Sequence, residues 1–263
     1  HYEYAKYMLN NKKHVLCEKP AVLKKAQAEE LYSLAKENNV VFMEAVKTAY
    51  CPGFHAMMAA AKSGKIGRII DVEAAFSRLT PVNTREYMAQ DYNGSFLEFG
   101  SYVCMPVFEL LGCDYDDVRF HSMRAVNGVD AYTKAVFSFG GKSAEVKTGL
   151  GVKTEGQLLI SGTNGYILAK SPWWLTKEFE VRYENPGKIE RYRFGYEGTG
   201  LCYEVREFVH RIKNNDKKTV DISDNISIAM AGVMERFIDW NAPIYKDRHN
   251  QFLATGKNKA MPK

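Results

Sequence analysis

Two rhythms of apolar and polar positions divide this 263-residue chain. Over the first fifty residues, short apolar runs alternate with stretches of helical period. Tyr2 to Asn10 reads as a helix, and Val15-Leu16-Cys17 as a short buried strand. Lys24 to Asn38 reads as a second helix. Ala28, Leu31, Leu34 and Ala35 form its apolar stripe, and Glu29, Glu30, Lys36 and Glu37 lie off it. Asn38-Asn39 is a helix stop, and Val40 to Met43 is a second apolar strand ending in Glu44. Helix, strand, helix, strand with short links is the pattern of a parallel, doubly wound sheet.

The second region has another period. From Pro52 a helix with Phe54, Met57, Met58 and Ala61 runs to Ser63-Gly64, and a strand follows from Arg68 to Ser77. Beyond Asp117 the alternation falls to two. Thr133, Ala135, Phe137 and Phe139 alternate with Lys134 and Ser138, and Ala144, Val146, Thr148 and Leu150 with Glu145 and Lys147. Asn164-Gly165, between Leu158–Ser161 and Tyr166–Leu168, predicts a hairpin turn. Such strands make an antiparallel sheet with helices on one face and the other face freer. Tyr132, Trp173, Trp174, Tyr183 and Tyr192 lie in or beside these strands and are expected on the freer face. Two closing helices are expected to bury Val205, Phe208, Val209 and Ile212 in one case and Ile226, Met230, Val233 and Phe237 in the other. Glu204, Arg206, Glu207 and Arg211 fall outside the first stripe.

Composition narrows the classes. A 46% hydrophobic chain of this length supports one large core or two small ones. No apolar run approaches the roughly 18–20 residues of a membrane span, and no signal peptide opens the sequence. Five scattered cysteines without C-x-x-C spacing point to reduced thiols and a cytoplasmic protein. Six dispersed histidines give no expectation of a metal. The net charge of +5 comes from small separate groups such as Lys12-Lys13, Lys24-Lys25, Lys217-Lys218 and the tail lysines 257, 259 and 263. No basic stripe interleaves with aromatics, so nucleic acid is not the expected partner.

Two segments carry candidate chemistry. In His14-Val15-Leu16-Cys17-Glu18-Lys19-Pro20 a buried strand empties into an acid and a base held by a proline. Ligands of open parallel sheets bind at such strand ends. In Gly94-Ser95-Phe96-Leu97-Glu98-Phe99-Gly100-Ser101-Tyr102, Glu98 and Tyr102 share one face if the segment is helical. A phenol near pKa 10 is a poor base unless a cation such as Lys19 lies close.

These segments resemble the glucose–fructose oxidoreductase/inositol dehydrogenase (Gfo/Idh/MocA) family, most closely its dihydrodiol dehydrogenase and glucose–fructose oxidoreductase branch. Met43-Glu44-Ala45 before Pro52, Gly64 to Ile69 and Ile160 to Gly165 add to the likeness, which runs from His1 to about Trp240. The resemblance implies an NAD- or NADP-dependent oxidoreductase acting on a hydroxyl or carbonyl of a sugar, polyol or related cyclic alcohol. A non-catalytic sugar- or nucleotide-sensing protein on the same fold is the alternative. It implies Lys19 and Tyr102 as catalytic residues, Glu18, Lys19, Pro20 and Glu44 as cofactor contacts, and Glu98 and Tyr102 as substrate contacts. It also implies a homodimer or higher homo-oligomer through the open sheet face.

The fold expected is α/β plus α+β. Residues 1–50 would be the end of a Rossmann domain, and 51–263 a substrate-binding and dimerisation domain. The chain starts at His1, without methionine, and holds no G-x-G-x-x-G. It is therefore expected to lack the front of that Rossmann domain and to be inactive as it stands. Tyr92-Asn93 replaces two glycines of the family pattern, Glu98 an aspartate, and Ala49 an arginine. Loops such as Leu79–Asp91 are expected to shape the pocket.

Overall fold

The first rhythm becomes helix α1 (Tyr2–Asn10), strand β1 (Val15–Glu18), helix α2 (Lys25–Glu37) and strand β2 (Phe42–Ala45). The computed structural model describes residues 1–88, 93–214 and 224–255, with the side chains of its last helix described as far as Asn241. Asp91, Tyr92 and the lysines at 217, 218, 257, 259 and 263 lie outside the described residues. β1 and β2 pair in parallel, Val15 opposite Phe42 and Cys17 opposite Glu44. Leu9, Leu31 and Phe42 fill a small core between them and the helices. β2 begins later than the apolar run suggests. Asn39 takes a φ of 58°, and the Val40 N–H donates to the Ala35 carbonyl at 2.9 Å. Val40 therefore closes the end of α2 instead of joining the sheet.

A 3-10 turn over Lys47–Tyr50 leads to α3 (Pro52–Lys62), β3 (Ile69–Ser77) and α4 (Ser95–Leu111). Then come β4 (Asp117–Arg124), β5 (Asp130–Phe139), β6 (Lys142–Gly149), β7 (Leu158–Gly162) and β8 (Gly165–Ala169). β9 (Glu178–Arg182), β10 (Ile189–Arg193), α5 (Leu201–Asn214) and α6 (Asp224–Thr255) complete the chain. Strands β3 to β10 form one sheet in the order β10-β9-β8-β7-β3-β6-β5-β4. β3 and β6 pair in parallel while the other neighbours are antiparallel. A parallel pair needs a crossover, and α4 begins it. α4 packs on β3, β5 and β6, and Phe96, Val103, Phe137, Val146 and Ile160 join one large core there. α6 touches both cores: Ala231 joins the small one, and Met230, Val233 and Phe237 the large one.

The hairpin between β7 and β8 is present, but its turn is Thr163-Asn164, one residue before the expected pair. Gly165 already pairs with Gly162. The Thr163 and Asn164 N–H groups donate to the Arg68 and Ile66 carbonyls at 3.0 and 2.9 Å. A Cβ on Gly162 would lie 2.2 Å from the Ile66 carbonyl oxygen. The loop before β3 presses on the turn and sets its register.

The aromatic expectation is corrected. Trp173 is fully buried, and its indole N–H donates to the Ala75 carbonyl at 2.9 Å. Trp174 stacks on Phe76 at 3.8 Å. Tyr192 stacks on buried Phe179, on the covered face. Tyr132 stands in register beside Gly149 and Met123, on the freer face. Helix α5 is corrected as well. Tyr203, Glu204 and Arg211 turn inward, while Val205 and Val209 are exposed. Arg211 is held on the inner face by Glu207 at 2.6 Å and by the Tyr50 ring over which it lies.

α4 starts on a cap borrowed from another strand. Gly94 has no side chain to offer, and Asp130, at the head of β5, is fully buried beside it. Asp130 Oδ2 accepts from the Phe96 N–H at 2.9 Å, from Ser95 Oγ at 2.6 Å and from Thr133 Oγ1 at 2.7 Å. A carboxylate at a first turn satisfies orphan donors and meets the positive end of the helix dipole. Gly94 sits at φ +132°, and a Cβ there would lie 1.9 Å from Asp130 Oδ1. Asp130→Ala and Gly94→Ala are each expected to cost about 2–4 kcal/mol in urea unfolding at neutral pH. A cost under about 0.5 kcal/mol would show that the helix start does not depend on this contact.

Candidate active site

β1 ends at Glu18, and the next residue reaches across to α4. The Lys19 Nζ donates to the Glu98 carbonyl at 2.6 Å and lies 3.2 Å from Glu98 Oε1, with only 11% of its side chain exposed. Lys19-Pro20 is a cis peptide. One helical turn beyond Glu98, the Tyr102 ring centroid lies 5.5 Å from the same Nζ. Phe76 packs against that ring at 5.2 Å. Pro106, inside α4, has no N–H for the carbonyl of Tyr102 four residues earlier, so the helix loses a rung at the turn that carries the phenol. Glu98 Oε2 is also answered, by Arg85 at 3.4 Å.

Lys19, Glu98 and Tyr102 share a cavity of about 670 Å³ with Phe76, Trp174 and the cations Lys47, Arg78 and Lys153. That volume suits a small cyclic ligand. Phe99, Phe76 and Trp174 form a continuous stack on one side, with centroids 4.3 and 3.8 Å apart.

The electrostatics of the phenol differ from the sequence expectation. Burial first, then the carboxylates of Glu18, Glu204 and Glu98, push the Tyr102 pKa up. Lys19 directs two of its three donors at Glu98, leaving one N–H for the cavity. The arrangement holds a neutral phenol beside an ammonium.

The other sequence candidates separate. Glu18 is exposed at the end of β1, and its Oε2 accepts from the Lys19 N–H at 3.2 Å. Glu44 is buried. Its Oε1 accepts the Ala21 N–H at 3.0 Å, its backbone carbonyl accepts the Tyr50 hydroxyl at 2.9 Å, and burial raises its pKa. Glu44 thus ties down the chain just past Pro20 and does not line the cavity. Cys17 is buried in the small core, which pushes its thiol up to about 11. Among the described residues, no three or more His, Cys, Asp or Glu side chains are placed to hold a metal, and no helix is long and apolar enough to cross a membrane.

Glu204 is the residue that sequence reading misses. It is 3% exposed, and Oε2 has no partner. Burial, then the charge of Glu18, raises its pKa to about 7, against a lowering by Lys47. A glutamate off an apolar stripe reads as solvated. Only the packing of α5 on the 47–50 turn brings it behind Tyr102.

Comparison with known proteins adds to this geometry. Residues 1–46 match the model of an oxidoreductase family with an NAD-binding Rossmann fold, and residues 54–168 match the Gfo/Idh/MocA C-terminal domain. The chain is 29% identical over 245 residues to the NADP-dependent scyllo-inositol 2-dehydrogenase of Bacillus subtilis, covering 89% of this chain and 73% of that protein. It is 26% identical over 247 residues to trans-1,2-dihydrobenzene-1,2-diol dehydrogenase of Xenopus laevis, covering 90% and 74%. Its fold is similar to that of a 3-ketoreductase from Actinomadura kijaniata, solved with NADP and TDP-benzene. The TM-score is 0.75 at 19% identity, with 89% of this chain and 73% of that one covered. With both domain models matched in order along the sequence, and the fold shared, this chain belongs to the Gfo/Idh/MocA oxidoreductase family.

Proposed function

We propose that the protein is an NAD(P)-dependent oxidoreductase moving a hydride between nicotinamide and a carbinol or ketone of a sugar, polyol or related cyclic alcohol. The observation that carries this reading is the convergence of Lys19 and Tyr102 on one sugar-sized cavity, with the ammonium fixed by Glu98. A nicotinamide dinucleotide, when bound, supplies the hydride for reduction or accepts it in the reverse direction. The residues present fit its nicotinamide end: Glu18 and Lys19 at the carboxyl end of a parallel strand, with the unpartnered Glu204 oxygen behind them. The sequence holds no G-x-G-x-x-G turn for the pyrophosphate.

In this reading, Lys19 donates its remaining N–H to the substrate oxygen and polarises the carbonyl. Tyr102 passes its proton to that oxygen as hydride reaches the carbon. Phenolate is what the oxidation direction would require, and the carboxylates around Tyr102 oppose it. The free thiols of Cys17, Cys51, Cys104, Cys113 and Cys202 support a reducing compartment such as the cytoplasm.

We also infer self-association through the freer face of the eight-stranded sheet. Tyr132, Val136, Leu159, Tyr166 and Leu168 stand there in register with charged residues. Lys134 and Lys147 pair with Glu145 at 2.5 and 2.7 Å, and Arg182 with Glu180 at 2.5 Å. Charges neutralised within the face do not repel a second copy.

Lys19→Ala and Tyr102→Phe are each expected to lower kcat for NADPH-driven ketone reduction by about 10²–10⁴ with unchanged circular dichroism. Near wild-type rates in both would remove the assignment, and ligand binding without any nicotinamide turnover would favour a sensor. Sedimentation should show a dimer or larger species at micromolar concentration, and Val136→Glu should shift it to monomer; a monomeric wild type refutes the sheet interface.

Glu204 gives a pH-dependent difference. A carboxyl whose folded pKa is raised keeps its proton when the unfolded chain has lost it, so its cost grows as pH rises from about 4.5 towards 7. Glu204→Gln is expected to match wild type at pH 4 and to be more stable by roughly 2–3 kcal/mol at pH 8. Equal stability at both pH values would contradict the buried, ionising carboxyl.

A further inference from the structure

We propose that the substrate carries an anionic group, a carboxylate or a phosphate, held by the exposed cavity cations Arg78 and Lys153 together with Lys47. This rests on the reading above and names the substrate class. Among the described residues lining the cavity, Lys19, Lys47, Arg78 and Lys153 carry positive charge and Glu98 alone carries negative charge. Glu98 is already shared between Lys19 and Arg85, so it does not offset the remaining cations.

The cations are placed by the sheet and not by chance of long side chains. Arg78 directly follows β3, and its N–H donates to the Gly149 carbonyl at the end of β6 at 2.9 Å. The Thr154 N–H donates to Ser77 Oγ at 2.7 Å. These two bonds fix the backbone beside Arg78 and Lys153 at one rim. Among the described residues, the Lys153 Nζ donates only to the Thr154 carbonyl, at 2.9 Å, and the Lys47 Nζ only to the Thr199 carbonyl, at 2.9 Å. Arg78 pairs with Glu86 at 3.2 Å while more than half exposed, a contact that a ligand anion can replace.

Like charges lining one cavity gain when a counter-charge arrives, and guanidinium with ammonium is a donor set for carboxylate or phosphate oxygens. The carboxylates Glu18 and Glu204 act on Tyr102 without lining the cavity, whereas Arg78 and Lys153 line it and are exposed. That polarity orients a ligand: anion outward, ring along Trp174, reacting carbon at Lys19 and Tyr102.

The test uses the full protein and three matched ligands, glucose, glucuronate and glucose 6-phosphate, in calorimetric titration and in NADPH- and NADP-coupled assays. At least one anion should bind about ten-fold more tightly than glucose. The advantage should shrink as salt is raised and vanish in the Arg78→Glu/Lys153→Glu double variant. It should persist in Lys13→Glu, which changes an exposed charge outside the cavity lining. The anion with the larger advantage identifies carboxylate or phosphate. Equal affinity for neutral and anionic sugars, an advantage that survives the double variant, or no binding of either anion overturns the inference. Turnover of neutral sugars without anion preference would remove this inference and leave the hydride chemistry standing. Salt-sensitive anion binding with no turnover would do the reverse.

Discussion

The start of α4 on Asp130 is the contact on which the site depends. Glu98 and Tyr102 stand on the first two turns of that helix, so any play at its N-terminus moves both groups against Lys19. A side-chain cap within the same segment would hold the helix only to itself. Asp130 ties it to the head of β5 and through Ser95 to Thr148 on β6. The helix is thereby registered against the sheet from which Phe76, Arg78 and Lys153 approach the cavity. Burial pushes the Asp130 carboxyl up to about 6 despite its three donors, so the anchor itself stores a desolvation cost that the packing above it offsets.

Charge is sorted in a consistent direction around the cavity. Burial, joined by the carboxylates of Glu18, Glu204 and Glu98, keeps Tyr102 protonated, and Lys19 is held by Glu98 instead of being drawn to the phenol. Arg78 and Lys153, exposed on the cavity lining, meet the half-buried Glu86 and the Thr154 carbonyl. The proposed proton donation and the proposed anion capture both draw on this arrangement. A neutral cavity of the same shape would bind a ring but would not orient it.

Legibility from sequence varied with the kind of information. The elements of the first fifty residues and the helix from Pro52 could be read because apolar period alone specifies them. Lys19 could be singled out because a strand emptying into Glu-Lys-Pro is a local signal. Tyr102 could be paired with Glu98 by spacing. Glu204 could not, since its neighbours place it on the polar side of an amphipathic stripe. The inward face of α5 is decided by Arg211 meeting Glu207 and Tyr50, contacts that no hydrophobic pattern encodes. The hairpin turn moved by one residue for a similar reason, a loop nearly a hundred residues earlier pressing against it.

By itself the sequence determined the periods, the strand-end lysine, the glycine that precedes α4 and the family motifs in their order. These are properties of backbone conformation and of nearest neighbours along the chain. The tertiary structure decided which charges face each other across it. It directed Lys19 to Glu98, brought Glu18 and Glu204 within electrostatic reach of the phenol, took the cap of α4 from β5 and gathered Lys47, Arg78 and Lys153 on one cavity. Electrostatic energies depend on distance in space and on burial, and neither quantity is written in the linear order of residues.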